Sequence, residues 1–269
     1  MPGKRVIIKV GGSVLEDESS YAAMASGIAR YVRQAADLEK VYVVVSAKKG
    51  ATDRAIEALA PNPDLRRRLR GRLAGDSSGD PGLEHWESPR HSLALLWGEL
   101  ESAFHLSECL CREGQAAKVV TQLGLYPIAS RGRYLRAELD IVRSRQRFAR
   151  FDARHRRDRL IILPGFGAAN AKGEPTLFGR NASDYIAAVL SALDPNVGLV
   201  IFVKDVGALF EAFATDHQRR ITSTNVSRLR SAGLGQVLDR RVLEVIACEF
   251  HVVGRDIGGG TVVHPDPVA

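Results

Sequence analysis

Short runs of β-branched residues alternate along the whole chain with stretches of helical periodicity, and this alternation constrains the fold more than any other feature. Val6-Ile-Ile-Lys-Val10 and Val41-Tyr-Val-Val-Val45 read as buried strands. Between them, Tyr21 to Ala36 carries Ala22, Met24, Ile28, Tyr31, Val32 and Ala35 at helical spacing, with Ser19 or Ser20 as N-cap. A strand, a crossover helix and a second strand make a βαβ unit, and such units build parallel sheets. The alternation continues with a helix from about His91 to Arg112, strands at 117–121 and 160–163, a helix at 183–193 and a strand at 197–204. Stretches 226–232 and 240–245 read as helices, and 249–253 and 260–263 as strands. The expected fold is α/β: one domain over residues 1–269, a three-layer α/β/α sandwich with a mainly parallel central sheet. Residues 75–90 are the one linker-like stretch, read as a surface loop or lid within that domain.

Composition narrows the function classes. No run of about 18 apolar residues exists, so no membrane-spanning helix and no membrane partner is expected. Met1-Pro-Gly-Lys-Arg5 leads straight into a strand and lacks a signal-peptide core. Three cysteines, Cys109, Cys111 and Cys248, are too few for a disulfide scaffold, and the odd number fits a reducing, cytoplasmic location. Cys109 and Cys111 lie on different faces of a helical pattern, so they read as ordinary thiols and no metal site is expected from them. The net charge of +7 favours anionic ligands such as nucleotides, phosphates or small carboxylates. Two arginine-rich stretches, Arg66–Arg72 and Arg147–Arg159, supply much of it and read as solvated helix faces. With no zinc-finger spacing, RNA-recognition motif or heptad repeat in support, no nucleic-acid partner is expected.

Three glycine-containing loops each follow an expected strand. In Lys9-Val-Gly11-Gly12-Ser13 the glycines let backbone N–H groups approach phosphate oxygens, with a lysine beside them. Lys9 interrupts an otherwise buried run, where an unpaired ammonium is costly, and this favours a phosphate role over a solvated strand end. The Gly-x-x-x-x-Gly-Lys order of a Walker A loop is absent. The second loop, Ser46-Ala-Lys-Lys-Gly50-Ala-Thr52-Asp53, places a hydroxyl at the carboxyl end of a parallel strand, where α/β proteins bind ligands. The third runs from Pro164-Gly165-Phe-Gly167 to Gly179-Arg180-Asn-Ala-Ser183-Asp184, ahead of a helix. Ser183 or Asp184 could simply cap that helix. Arg180 adds a fork for a carboxylate beside an anion-friendly helix start.

These motifs together resemble the amino-acid kinases, and within them the catalytic domain of aspartate kinases. Lys9-Val-Gly-Gly-Ser is similar to the family's Lys-Phe-Gly-Gly-Thr-Ser, and Val44-Val-Ser-Ala-Lys-Lys-Gly-Ala-Thr-Asp53 to Val-Val-Ser-Ala-Met-Gly-Gly-Thr-Thr-Asp. Gly98-Glu99 sits where the family has Gly-Glu on a helix, and Gly179-Arg-Asn-Ala-Ser-Asp184 resembles Gly-Arg-Gly-Gly-Ser-Asp. Val237-Leu-Asp-Arg-Arg-Val-Leu243 resembles Val-Leu-His-Pro-Arg-Ala-Leu, and Gly260-Thr-Val-Val263 the closing Gly-Thr-Val-Ile. The resemblance implies ATP-dependent phosphorylation of the β-carboxylate of L-aspartate, or of a close acidic analogue, to give an acyl phosphate. Substrate would lie over the N-terminal half and nucleotide over the C-terminal half. Lys9 would neutralise the transferring phosphoryl group, with Gly11, Gly12 and Ser13 cradling it, and Asp184 would organise the centre. Thr52, Glu99, Arg180 and Ser183 would hold the amino acid, Arg180 on the α-carboxylate and Glu99 on the α-ammonium. An ionised carboxylate needs no general base, so catalysis reduces to positioning and charge neutralisation, with Mg²⁺ on the nucleotide phosphates. The family also implies a homodimer.

The nucleotide half departs from the family pattern. Lys204-Asp205-Val-Gly207-Ala-Leu-Phe210 stands where the family has Thr-Asp-Val-Asp-Gly-Val-Tyr, and Gln236 falls where a phosphate-contacting lysine is usual. Lys204 is either the replacement cation or a solvated strand end; Asp205, Phe210 and Gln236 complete the expected nucleotide set. The alternative reading is a non-catalytic amino-acid-binding protein that regulates a partner. Only about six residues follow Val263, so the regulatory domains that commonly continue aspartate kinases are not expected.

Overall fold

Near-continuous burial along the long strands and parallel pairing account for the core of the computed structural model, which describes residues 4–35, 37–75, 81–84, 86–212, 215, 218–232 and 237–266. Eight strands form the main sheet: β1 (Lys4–Val10), β2 (Leu38–Val45), β3 (Lys118–Val119), β4 (Leu160–Pro164), β5 (Val197–Val203), β6 (Ser223–Asn225), β7 (Glu249–Val253) and β8 (Thr261–His264). Their spatial order is β6-β8-β7-β5-β1-β2-β4-β3. All neighbours run parallel except β7 and β8. Helices cover both faces: α1 (Glu18–Gln34), α2 (Ala51–Leu59), α3 (Pro63–Ala74), α4 (Pro89–Arg112), α5 (Ile141–Arg154) and α6 (Ala182–Leu193). The expected three-layer, mainly parallel α/β architecture is what forms.

Along β1, Val6, Ile8 and Val10 enter one core with Met24 and Ile28 of α1 and Leu106 and Leu110 of α4. Ile7 enters the other, with Phe148 and Phe151 of α5 and Ile186 and Leu190 of α6. Each such side chain contributes about 1.5–3 kcal/mol on burial. A one-residue slip would exchange the faces, so the register is strongly fixed. By the same alternation Lys9 points to the α6 face. It pairs in register with Val44 of β2 and Phe202 of β5, which sets the carboxyl ends of three neighbouring strands level. The opposite edge is tied by a separate ionic network: Arg5 reaches Asp194 and Asp152 at 2.9 Å each, and Lys40 reaches Asp152 at 2.7 Å.

Several local expectations change. The N-cap of α1 is Asp17, whose carboxylate accepts from the Ser20 backbone at 2.8 Å; Ser20 sits at the third helical position and closes a capping box. Helices α2 and α3 and three short hairpins, pairing 130–132 with 137–139, 167–169 with 175–177 and 209–211 with 219–221, were not expected. The strand at 117–121 shrinks to two residues, and the helix at 240–245 to Val242–Val245. Within 75–90, Pro81–Glu84 is a helical turn with Leu83 buried, and Pro89 and Arg90 begin α4; residues 76–80 and 85 lie outside the described residues. The arginine stretch on α3 is not wholly solvated, because Arg72 is buried against Glu87 at 2.6 Å. Among the described residues, no helix is long and apolar enough to cross a membrane.

Candidate active site

Three charges, two of them fully buried and the third nearly so, meet at the carboxyl edge of the sheet. Lys9, the penultimate residue of β1, places Nζ 2.7 Å from Oδ1 of Asp184 in the first turn of α6. Lys204, the first residue after β5, donates from Nζ to Asp184 Oδ2 at 2.6 Å. Asp184 is only 2% exposed and Lys9 3%. Burial pushes the Asp184 carboxyl up, but Lys9 and Lys204 overcome this and hold it at about 2. Burial lowers Lys9 to about 8, with repulsion from Lys204 adding to the effect and Asp184 opposing it. Two ammonium groups around one carboxylate leave the cluster with an excess of one positive charge. A buried excess charge is costly unless an anion joins it.

The capping reading of Ser183 and Asp184 fails. The N-cap of α6 is Asn181, at φ 61° and with no side-chain cap, so both residues fall inside the first turn and turn their side chains to the site. The Ser183 and Ser46 hydroxyls lie 2.8 Å apart, linking α6 to the loop after β2. Backbone approach explains the two loop glycines: a Cβ on Gly12 would stand 2.5 Å from the Ala47 carbonyl oxygen, and one on Gly11 would stand 2.9 Å from that of Val203. Ser13 continues the turn and donates from Oγ to Asp205 Oδ1 at 3.0 Å, tying the first loop to the segment after β5.

On the other side of Lys9, α4 delivers Glu99, 4% exposed, whose carboxylate accepts a hydrogen bond from the Phe166 backbone. Burial raises Glu99 to about 8, against the Phe166 hydrogen bond and the Lys9 charge, which favour ionisation. Thr52 and Asp53 open α2. Arg180 is half exposed, and its guanidinium reaches Asp53 at 3.1 Å. A cavity of about 280 Å³ lies between these groups, lined by Lys9, Gly11, Gly12, Ser13, Thr52, Glu99, Arg180, Ser183 and Asp184. A second, of about 500 Å³, opens on the C-terminal side and is lined by Arg136, Asp239, Arg240 and Arg241 among others. The two share Arg180, Asn181, Asp184 and Lys204, so the charge cluster stands where they meet.

Ten of the sequence-derived residues thus line the first cavity, since Lys204 joins the nine above. Asp205 does not line it and is tied to it by its hydrogen bond from Ser13. Phe210 sits on the short hairpin at 209–221 and lines neither cavity, and Gln236 lies outside the described residues. Reasoning from sequence missed Ser46 and Asp53, both inside a quoted motif, and Arg136, Arg240 and Arg241. Arg240 and Arg241 follow Val237-Leu238, which offered a signal; Arg136 stands in a loop of no recognisable pattern.

A mainly parallel sheet places two lysines around one buried acid between two cavities at its carboxyl edge, the part of an α/β fold where ligands bind. The chain belongs to the amino acid kinase family, whose model matches residues 4–249. Its fold is similar to that of E. coli aspartokinase III in complex with aspartate and ADP, with a TM-score of 0.73 and 22% identity over 98% of this chain and 65% of that one. It is also similar to T. acidophilum isopentenyl phosphate kinase in a product complex, with a TM-score of 0.57 and 16% identity over 97% of this chain and 100% of that one. A 66-residue stretch, 24% of this chain, is 41% identical to 8% of the bifunctional aspartokinase/homoserine dehydrogenase of Haemophilus influenzae. This chain therefore spans under two thirds of aspartokinase III and a small part of the bifunctional relative.

Proposed function

We propose that this chain transfers the γ-phosphoryl group of ATP to the β-carboxylate of L-aspartate, or of a close acidic analogue, forming an acyl phosphate. The observation that carries the reading is the buried Lys9–Asp184–Lys204 cluster at the junction of two cavities. The acceptor would occupy the smaller cavity, with Arg180 and Ser183 on its α-carboxylate side and Glu99 facing its ammonium. The nucleotide phosphates would enter the larger one, beside Arg240 and Arg241. Lys9 and Lys204 then stand on opposite oxygens of Asp184 and neutralise the charge of the phosphoryl group in transit. Asp184 itself takes no proton; held at about 2, it stays ionised and fixes both ammonium groups. The attacking carboxylate is already ionised, so positioning and charge supply the catalysis.

The donor set bears on Mg²⁺. Both Asp184 oxygens face lysines, Asp53 faces Arg180, and Asp239 faces Arg241 at 2.5 Å. These carboxylates suit cation pairing rather than a protein-held metal cage, so Mg²⁺ would travel on the nucleotide phosphates and add to their neutralisation. Hydroxylamine trapping tests the reaction. Aspartyl hydroxamate formed only with Mg·ATP and L-aspartate together, and lost in Lys9→Ala, is the expected result. Aspartate binding measured calorimetrically with no hydroxamate would replace this reading with the non-catalytic one. Homodimerisation and a cytoplasmic location belong to the same proposal, by resemblance to the family.

A further inference from the structure

A separate cavity, of about 400 Å³, lies against α5 and shares no lining residue with the two at the carboxyl edge. Arg147, Arg150 and Arg154 line one side of it, at steps of three and four residues that keep them on one helix face. Phe151 on that face, with Leu125 and Tyr126 from the opposing segment, supplies apolar surface. Tyr126 is buried and its hydroxyl donates to the Pro164 carbonyl, which fixes this wall to the end of β4.

The charge on this face is not neutralised within the chain. Arg147 is partly buried and donates to two carbonyls, Ala169 at 2.8 Å and Asn170 at 2.7 Å. These neutral acceptors hold the guanidinium in place and leave its charge uncancelled. Burial lowers Arg147 from its ordinary value, with repulsion from Arg143 adding to the effect and Asp140 opposing it. Arg150 and Arg154 make no ion pair and no side-chain hydrogen bond among the described residues. No carboxylate among the described residues lines the cavity. The nearby acids are engaged elsewhere: Asp152 with Arg5 and Lys40, Asp158 with His155, and Asp140 facing Arg143 at 4.0 Å.

Guanidinium forks suit carboxylate and phosphate oxygens. Charge chooses between these two. A carboxylate cancels one unit, whereas a phosphate monoester carries about −1.5 to −2 at neutral pH and answers both Arg150 and Arg154. The apolar wall asks for a carbon body beside the phosphate, and the volume falls in the roughly 300–1,000 Å³ range of small-molecule pockets. An extended polyanion would instead follow cations along an open surface. Here the arginines converge on a hollow, and Arg145, Arg156 and Arg157 do not line it.

We propose that this face of α5 binds a small phosphate monoester with an apolar group, Arg150 and Arg154 on the phosphate, Arg147 beside them, and Leu125 and Phe151 against the apolar part. The site stands apart from the proposed reaction, so its test reads binding rather than turnover. Phenyl phosphate titrated into the full chain by calorimetry should show a saturable step. Arg150→Gln with Arg154→Gln should raise the Kd of that step by at least about 30-fold, because both contacts are charge-assisted. Arg145→Gln with Arg156→Gln removes the same charge outside the cavity and should change it by less than about threefold. Binding at the carboxyl edge is common to all three proteins and cancels in the comparison. Both cavity positions are exposed, and circular dichroism should give an unchanged helical spectrum. Inorganic phosphate should bind at least about tenfold more weakly than phenyl phosphate, since it leaves the apolar wall uncovered. Unchanged binding in the cavity variant, or equal loss in both variants, would overturn the site. Inorganic phosphate binding as tightly as phenyl phosphate would overturn the apolar part of the ligand. A single-stranded oligonucleotide that binds more tightly than phenyl phosphate and depends on both arginine pairs would overturn the small-molecule assignment.

Discussion

Replacing Lys204 by methionine separates a catalytic cation from a structural one. Its Nζ stands 2.6 Å from Asp184 with the side chain 13% exposed, so the substitution removes a nearly buried ion pair. Removing the sole partner of a buried charge costs about 3–5 kcal/mol. Asp184, however, keeps Lys9 at 2.7 Å, and the cluster passes from an excess positive charge to balance. Because Lys204 helps to depress Lys9, its removal lets the Lys9 ammonium titrate above its present value of about 8. Methionine is unbranched and adaptable enough to fill the stem's space. The expected loss of folding stability is therefore below about 2 kcal/mol by denaturant titration, short of the loss that follows when a charge is stranded. Turnover should respond differently. A preorganised charge that stabilises a transferring group is worth about 10²–10³ in kcat, or roughly 2.7–4 kcal/mol. Hydroxamate formation under saturating Mg·ATP and L-aspartate measures that term, and Lys204→Arg, which keeps the charge, should retain more of it than Lys204→Met. A methionine variant with kcat within about threefold of wild type, under one kcal/mol of barrier, would remove Lys204 from the mechanism.

Four further outcomes follow from the geometry. In the proposed reaction Lys9 works as the protonated form, and burial lowers it to about 8 in the free protein, so kcat/KM should fall as pH rises through that value; under saturating nucleotide the fall should move to higher pH, and a flat profile from neutrality to pH 10 would exclude Lys9. Glu99 has its folded value raised from 4.5 to about 8, so its contribution to stability is complete below pH 4.5 and is lost as pH rises through about 8. Relative to Glu99→Gln, the wild type should lose stability across that window at up to about 1.4 kcal/mol per pH unit, and parallel unfolding curves for the two proteins would refute the shift. Arg180→Ala should raise KM for the acceptor by about tenfold with kcat little changed, because a half-exposed guanidinium already shared with Asp53 is worth less than a fully buried clamp; an unchanged KM would remove Arg180 from the acceptor site. Gly12→Ala would place a Cβ 2.5 Å from the Ala47 carbonyl and should destabilise the fold by about 1–3 kcal/mol while reducing turnover, and a fully active, equally stable variant would contradict the loop packing.

The long elements were legible because their periodicity is long. Strands β1, β2, β4 and β5 each carry at least five buried residues, and α1, α4 and α6 each span three or more turns. The hairpins were not, because strands of three residues hold too little alternation to establish a period of two. Helix α2 starts directly after Gly50, so its first turn coincides with the loop motif and reads as a continuation of it. Lys9 could be found because an ionisable residue in a buried strand requires a partner, yet nothing local to β1 identifies that partner. Asp184 is 175 positions away in sequence, and the two meet only when β1 and α6 pack on one face of the sheet.

Lys204 shows why a motif comparison alone leaves the nucleotide half ambiguous. Read position by position, Gln236 removes a cation and Lys204 adds one at a different place, and the two changes look unrelated. In space, the end of β5 lies in register with the end of β1, Phe202 beside Lys9 and Val203 beside Val10, so the residue after β5 emerges next to Asp184. A lysine there reaches the other oxygen of the same carboxylate that Lys9 holds. What phosphoryl transfer asks of this edge is positive charge on both sides of a fixed acid, and the source of that charge in the chain does not matter. Drift of the nucleotide segment away from the family pattern is therefore compatible with a retained charge cluster, provided that the sheet keeps its register and Asp184 keeps both of its lysines.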